Sequence, residues 1–162
     1  MAKAVFLDRD GVINRLSKGD YVTSWDKFVF LKGAKESIAR LSKAGYLVFV
    51  VTNQSAINRG LMTEAGLHVI HNNMTYEIEE VGGSIERIFH CPHRPDEGCA
   101  CRKPETGLFD MVDEEYNVDY QESWFVGDFE SDRQVAEKMG LKFILANGDD
   151  GLKKAVDEIL AA

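Results

Sequence analysis

The chain has 162 residues, 44% of them hydrophobic and 28% charged, and a net charge of −8. That balance fits one soluble α/β-sized domain over residues 1–162, large enough to bury about 70% of its unfolded surface without staples. It excludes nucleic acid held on a broad basic surface, and no apolar run approaches the roughly 18 residues of a membrane span. The N-terminus reads as free of an export segment, so the cytoplasm is the expected compartment, with neither membrane nor nucleic acid as partner.

Ala4 to Leu7 is a short apolar run that stops at Asp8, which predicts a buried strand entering a loop. Asn14 to Tyr21 is polar, contains Gly19 and reads as a loop. Ala34, Ile38 and Leu41 recur at helical spacing, and Gly45 marks the stop. Tyr46 to Val51 is a second strand, buried on both faces, ending at Thr52-Asn53-Gln54-Ser55. Thr63 is placed to cap a long helix to about Val81. Ile85 to Phe89 reads as a third strand, Leu108 to Tyr116 as a helix, and Trp124 to Val126 as a fourth strand ending at Gly127-Asp128. Ser131 is expected to cap a helix to Met139, Lys142 to Leu145 forms a fifth strand, and Asp149 or Asp150 caps the last helix. Strands alternating with helices imply a Rossmann-like parallel sheet with helices on both faces. Ligands of such sheets bind beyond the carboxyl ends of the strands, where Asp8, Asp10, Thr52, Asn53 and Asp128 fall.

Asp8 and Asp10 stand one residue apart at a strand tip. At roughly 4 Å and an effective dielectric of about 20, two such charges repel by about 4 kcal/mol. A cation between them or a retained proton relieves this; the spacing alone serves equally for a turn pair, with Gly11 supplying the turn. Convergence with Asp128 favours a site. Three carboxylates suit a hard divalent cation, magnesium above others. Asp132, one helical turn on, either orients that shell or serves the helix dipole. With the cation bound, a phosphate dianion can approach, and Thr52, Asn53 and Lys103 offer it a hydroxyl, an amide and a point charge.

Cys91, His93, Cys99 and Cys101 use every cysteine in the chain within residues 91–101. Three thiolates and one imidazole match a closed tetrahedral zinc site, structural because the ligands fill the coordination sphere. A disulfide would strand an odd thiol. The zinc loop would order the approach to Arg102 and Lys103. His68 and His71 read as ordinary helix residues, and Arg59 as a further substrate candidate or a solvated arginine.

The segments Phe6-Leu7-Asp8-Arg9-Asp10-Gly11-Val12-Ile13-Asn14, Val51-Thr52-Asn53-Gln54, Arg102-Lys103-Pro104 and Val126-Gly127-Asp128 resemble the four motifs of the haloacid dehalogenase superfamily of phosphatases, in its histidinol-phosphatase-like branch. The resemblance implies that Asp8 attacks phosphorus and that Asp10 serves as general acid and base. Magnesium would be held by Asp8, the Asp10 backbone carbonyl and Asp128, with Thr52 and Lys103 on the transferring oxygens. Tyr21, Asn53, Gln54, Ser55, Arg102 and Lys103 match positions that contact the sugar or its phosphates. The inter-motif lengths leave no room for a large cap domain. The implied partner is a small phosphorylated metabolite, a heptose bisphosphate, with histidinol phosphate and nucleotide or nucleic-acid ends as alternatives. A zinc-stapled binding module is the non-enzyme alternative, and a monomer is expected. Phe129 departs from the pattern, where Gly-Asp is followed by a lysine that helps bind substrate.

Overall fold

The computed structural model describes every residue except Lys18, so part of the loop expected over 14–21 lies outside the described residues. Five strands form one parallel sheet: β1 (Ala4–Leu7), β2 (Leu47–Asn53), β3 (Arg87–Cys91), β4 (Trp124–Gly127) and β5 (Lys142–Leu145), in the order β3-β2-β1-β4-β5. Five helices connect and cover them: α1 (Ala34–Lys43), α2 (Glu64–Glu80), α3 (Gly107–Glu115), α4 (Glu130–Met139) and α5 (Gly151–Ala161).

Successive strand residues point to opposite faces, so each strand feeds two cores. Val5, Leu7, Val48, Val50 and Val126 pack with the apolar stripes of α1, α2 and α5. Ala4, Phe6, Phe49, Val51 and Phe125 pack with α3 and α4. The second face is aromatic: Phe6 stacks on Phe49 at 5.2 Å and leans on Phe109 at 5.0 Å. Such offset pairs add roughly 1 kcal/mol each beyond area burial. Both cores press on β1, which is fully buried, so its carboxyl end is a fixed platform.

Boundaries differ from the sequence reading where backbone pairing outweighs composition. The second strand runs on through Thr52 and Asn53, because both pair with β3 at His90 and Cys91. The third strand starts two residues later than expected and ends on Cys91, the first residue of the cysteine loop. Thr63 caps α2, its hydroxyl accepting from Gly66 N–H at 3.0 Å. Ser131 does not cap α4. It lies inside the first turn, and the Asp132 carboxylate accepts from Phe129 N–H at 3.3 Å instead. Asp150 precedes α5 in a left-handed conformation (φ 62°) without a side-chain cap, while Asp149 accepts from Lys32 N–H and pairs with Arg15.

Connections leaving β1 run to β2 on one side and, later, to β4 on the other, which makes the gap between β1 and β4 the topological switch point. No cap domain is inserted among the described residues: between β1 and α1 lies loop with one 3₁₀ turn, Trp25–Lys27.

Candidate active site

Asp8 leaves β1 at the switch point, its N–H donating to Val126 O of β4 at 3.0 Å. Its carboxylate is buried and lies 3.1 Å from Lys103 Nζ. Lys103 is itself buried, and its ammonium also donates to Asp132 Oδ1 at 2.6 Å and to Val51 O at 2.9 Å. All three of its hydrogens are thereby directed to β1, β2 and α4. Burial alone would lower the Lys103 pKa, but Asp8 and Asp132 outweigh it and raise it.

The opposite pressure acts on the acids. Burial raises the Asp8 pKa well above the usual carboxylate range; Lys103 opposes this, and Asp132, Asp10 and Asp128 add to it. Asp128 is pushed up to about 6 by burial and then by Asp132. One ammonium does not balance these carboxylates. Oxygens of Asp8, Asp128 and Asp132 lie within 4.8 Å of one another, and Asp128 Oδ1 is buried without a hydrogen-bond partner. An orphaned acceptor inside an acidic cluster fits a hard divalent cation.

Two glycines make the cluster possible. A Cβ on Gly11, whose φ is +86°, would sit 2.0 Å from Asp128 Oδ2, and one on Gly127 would sit 2.4 Å from Asp132 Oδ2.

The Asp10 side chain stands apart from that cluster. Its Oδ1 accepts from Arg9 Nη2 at 2.7 Å, Arg9 Nε at 3.1 Å and Asn14 Nδ2 at 2.9 Å, and its Oδ2 accepts from Gln54 Nε2 at 3.0 Å. The carboxylate that joins Asp8 and Asp128 is therefore Asp132, and only the Asp10 backbone carbonyl is left to serve a metal there.

Tyr21, Asn53, Gln54, Ser55, Arg102 and Lys103 line one cleft of about 290 Å³ with Asp8 and Asp10. Thr52 does not line it: its side chain is buried below, with the hydroxyl accepting from Gln54 Nε2 at 3.0 Å. The Asn53 amide, expected to face phosphate, is committed to the backbone of Lys103, accepting from its N–H at 3.0 Å and donating to its carbonyl at 3.3 Å. Asn53 thus fixes where Lys103 enters the cleft.

The Sγ atoms of Cys91, Cys99 and Cys101 and Nδ1 of His93 also lie within 4.8 Å of one another. His93 Nδ1 is 3.3 Å from Cys91 Sγ and 3.2 Å from Cys101 Sγ. Three sulfurs and one imidazole nitrogen converging on a point suit tetrahedral zinc. Arg102 is tied directly to this cluster: its N–H donates to Cys99 Sγ and its Nη1 to His93 O, both at 3.3 Å.

A family model described as "Polynucleotide kinase 3 phosphatase" matches residues 3–143. D-glycero-β-D-manno-heptose-1,7-bisphosphate 7-phosphatase of Pseudomonas putida is 41% identical over 159 residues, covering 96% of this chain and 90% of that protein. The crystal structure of D,D-heptose 1,7-bisphosphate phosphatase from B. bronchiseptica, complexed with magnesium and phosphate, superposes with a TM-score of 0.85 at 40% identity, covering 96% of this chain and 86% of that one. A Mesorhizobium loti protein described as HAD-like also reaches 0.85, at 26% identity and with 99% and 87% coverage. The chain belongs to the haloacid dehalogenase superfamily of phosphatases.

For a haloacid dehalogenase phosphatase the cation-fitting cluster and the capless sheet are in the expected place, while three residues exceed the sequence reading. Asp132, weighed evenly between shell and helix dipole, is fully buried and bonded to Lys103. Arg9 is fully buried, held by Asp10 and by His71 Nε2 at 3.1 Å. His71 is not an ordinary helix residue; burial first, then the Arg9 guanidinium with His90 and His68, lowers its pKa to about 3. A charged residue between two aspartates was the available signal for Arg9; nothing in the sequence marks His71. Phe129 exposes its ring at the cleft and brings no charge to it.

Proposed function

We propose that this phosphatase removes the 7-phosphate of D-glycero-β-D-manno-heptose 1,7-bisphosphate through a covalent phosphoryl group on Asp8. Relatives bearing that activity in their names match nearly the whole chain. The observation that carries the mechanism is the buried Asp8 carboxylate, 3.1 Å from Lys103 at the head of an open cleft.

In this reading an Asp8 oxygen attacks phosphorus and the bond to the sugar oxygen breaks. Asp10, held at the cleft by Arg9, Asn14 and Gln54, gives a proton to that oxygen. Asp10 then takes a proton from water, which attacks the phosphorus of the aspartyl phosphate and releases inorganic phosphate. Lys103, 3.1 Å from the Asp8 carboxylate, screens the charge of the attacking oxygen and of the group being transferred. Asp8, Asp128 and the Asp10 carbonyl would hold magnesium, with Asp132 behind them; when bound it neutralises the charge that builds on the phosphoryl oxygens. Tyr21, Gln54, Ser55 and Arg102 face the sugar and its second phosphate.

Zinc bound by Cys91, His93, Cys99 and Cys101 would hold Arg102 in place through the Cys99 and His93 contacts. The three cysteines are free of disulfides, in keeping with a reducing cytoplasm.

The test is a comparison of kcat/KM with magnesium for the heptose bisphosphate, histidinol phosphate and a 3′-phosphorylated oligonucleotide. The bisphosphate should exceed both by about 100-fold, a margin that polar recognition of a second phosphate can supply. Higher kcat/KM on either competitor would overturn the substrate.

A further inference from the structure

We infer that Arg59 is a specificity-determining residue, forming with Arg102 a guanidinium pair that grips the phosphate remaining on the sugar; the inference rests on the bisphosphate reading above. It comes from where the chain leaves its arginines unpaired. Of the eight arginines, six are matched to carboxylates: Arg9 to Asp10, Arg15 to Asp149, Arg40 to Asp157, Arg87 to Glu115, Arg94 to Asp96 and Arg133 to Glu130. Arg59 and Arg102 have no carboxylate partner among the described residues, and both line the same cleft. In a protein of net charge −8, acidic groups outnumber cations, so an unmatched pair in the substrate cleft is not a shortage of partners.

The side chain is also held in place. Arg59 N–H donates to Ser55 O at 3.0 Å and its Nε to Ser55 Oγ at 3.2 Å, one turn back. Its guanidinium lies 5.7 Å over the Tyr21 ring. With Nε engaged and one face covered, both Nη groups are without a partner among the described residues and form a fork for a planar or tetrahedral anion. The near carboxylate of Asp96 is bonded to Arg94 instead. Lys103 is saturated at the reacting end and Phe129 carries no charge, so among the described residues Arg59 and Arg102 are the cations of this cleft that remain for a second anion.

The test measures kinetics of wild type and Arg59→Gln on heptose 1,7-bisphosphate and on heptose 7-phosphate, which carries only the group to be removed. A charge-assisted fork to phosphate is worth about a 10- to 50-fold change in KM. Arg59→Gln should raise KM for the bisphosphate by that factor with much less change in kcat, and should bring the two substrates close together. Arg59→Lys should restore part of the difference. If wild type favours the bisphosphate and Arg59→Gln keeps the full preference, or loses both substrates equally, the inference fails while the bisphosphate reading stands. If wild type itself does not favour the bisphosphate, both fall.

Discussion

Lys103 shows how much one side chain settles here. Its ammonium meets Asp8, Asp132 and Val51 O at 2.6 to 3.1 Å, so it both screens the acids and joins three elements. Removing one partner of a buried charged network leaves the others uncompensated, at about 3–5 kcal/mol. Lys103→Met should therefore lower the unfolding free energy in urea by about that much and reduce kcat by about 100-fold or more; a variant with unchanged stability would contradict the network. Asp8→Asn should abolish turnover, by about 10⁴-fold or more, with an unaltered circular dichroism spectrum. Near wild-type kcat would remove Asp8 as nucleophile. Gly11→Ala forces a Cβ into Asp128 at a left-handed φ, and should destabilise by about 1–3 kcal/mol while weakening magnesium dependence of the rate. The aspartates and Gly11 were legible in the sequence because strand-end acids at a parallel sheet's rim have few other reasons to be there. The division of labour between Asp10 and Asp132 was not, since it depends on which way each carboxylate turns, and spacing is silent on that.

The cysteine loop is the element whose effect reaches the site. It begins where β3 ends and hands the chain to Arg102 and Lys103 through contacts to Cys99, His93 and Asn53. Elemental analysis should find one zinc per chain. Stripping it with a strong chelator should lower Tm and raise KM several-fold, with zinc but not magnesium restoring both. An apo protein with wild-type KM would separate the loop from substrate binding. The ligand spacing made this element readable before any fold was known. Its link to β3 was not: the strand was expected to stop at Phe89, but pairing of Asn53 with Cys91 carries it two residues further, and composition does not encode that register.

At the scale of the whole molecule, α2 is fastened to the β1 loop by a buried cation and a neutral imidazole. Arg9 Nη1 donates to His71 Nε2, which requires the lone pair there and the proton on Nδ1. The folded His71 pKa of about 3 lies below the ordinary 6.5. The unfolded chain therefore binds the extra proton first, and this contribution to stability is complete above about pH 6.5 and lost as pH falls toward 3. At pH 5 the loss from this group is about 2 kcal/mol. Urea unfolding of wild type and His71→Gln should show the wild-type advantage at pH 7.5 shrinking as pH falls to 5; an advantage that grows would reverse the sign. The parallel sheet and its two-faced core followed from alternating strand and helix patterns, whereas the strand order and this link between distant segments arise only when the fold brings the elements together.

In the proposed mechanism Asp8 takes the phosphoryl group, and peptide mapping of the trapped enzyme reads out which carboxylate carries it. Asp10→Asn, turning over an aryl phosphate whose leaving group needs no protonation, should load the acyl phosphate and release it slowly. Acid quenching and borohydride reduction should then convert residue 8, and only residue 8, to homoserine in a magnesium-dependent manner. Modification at another carboxylate, or rapid phosphate release with residue 8 untouched, would contradict the account.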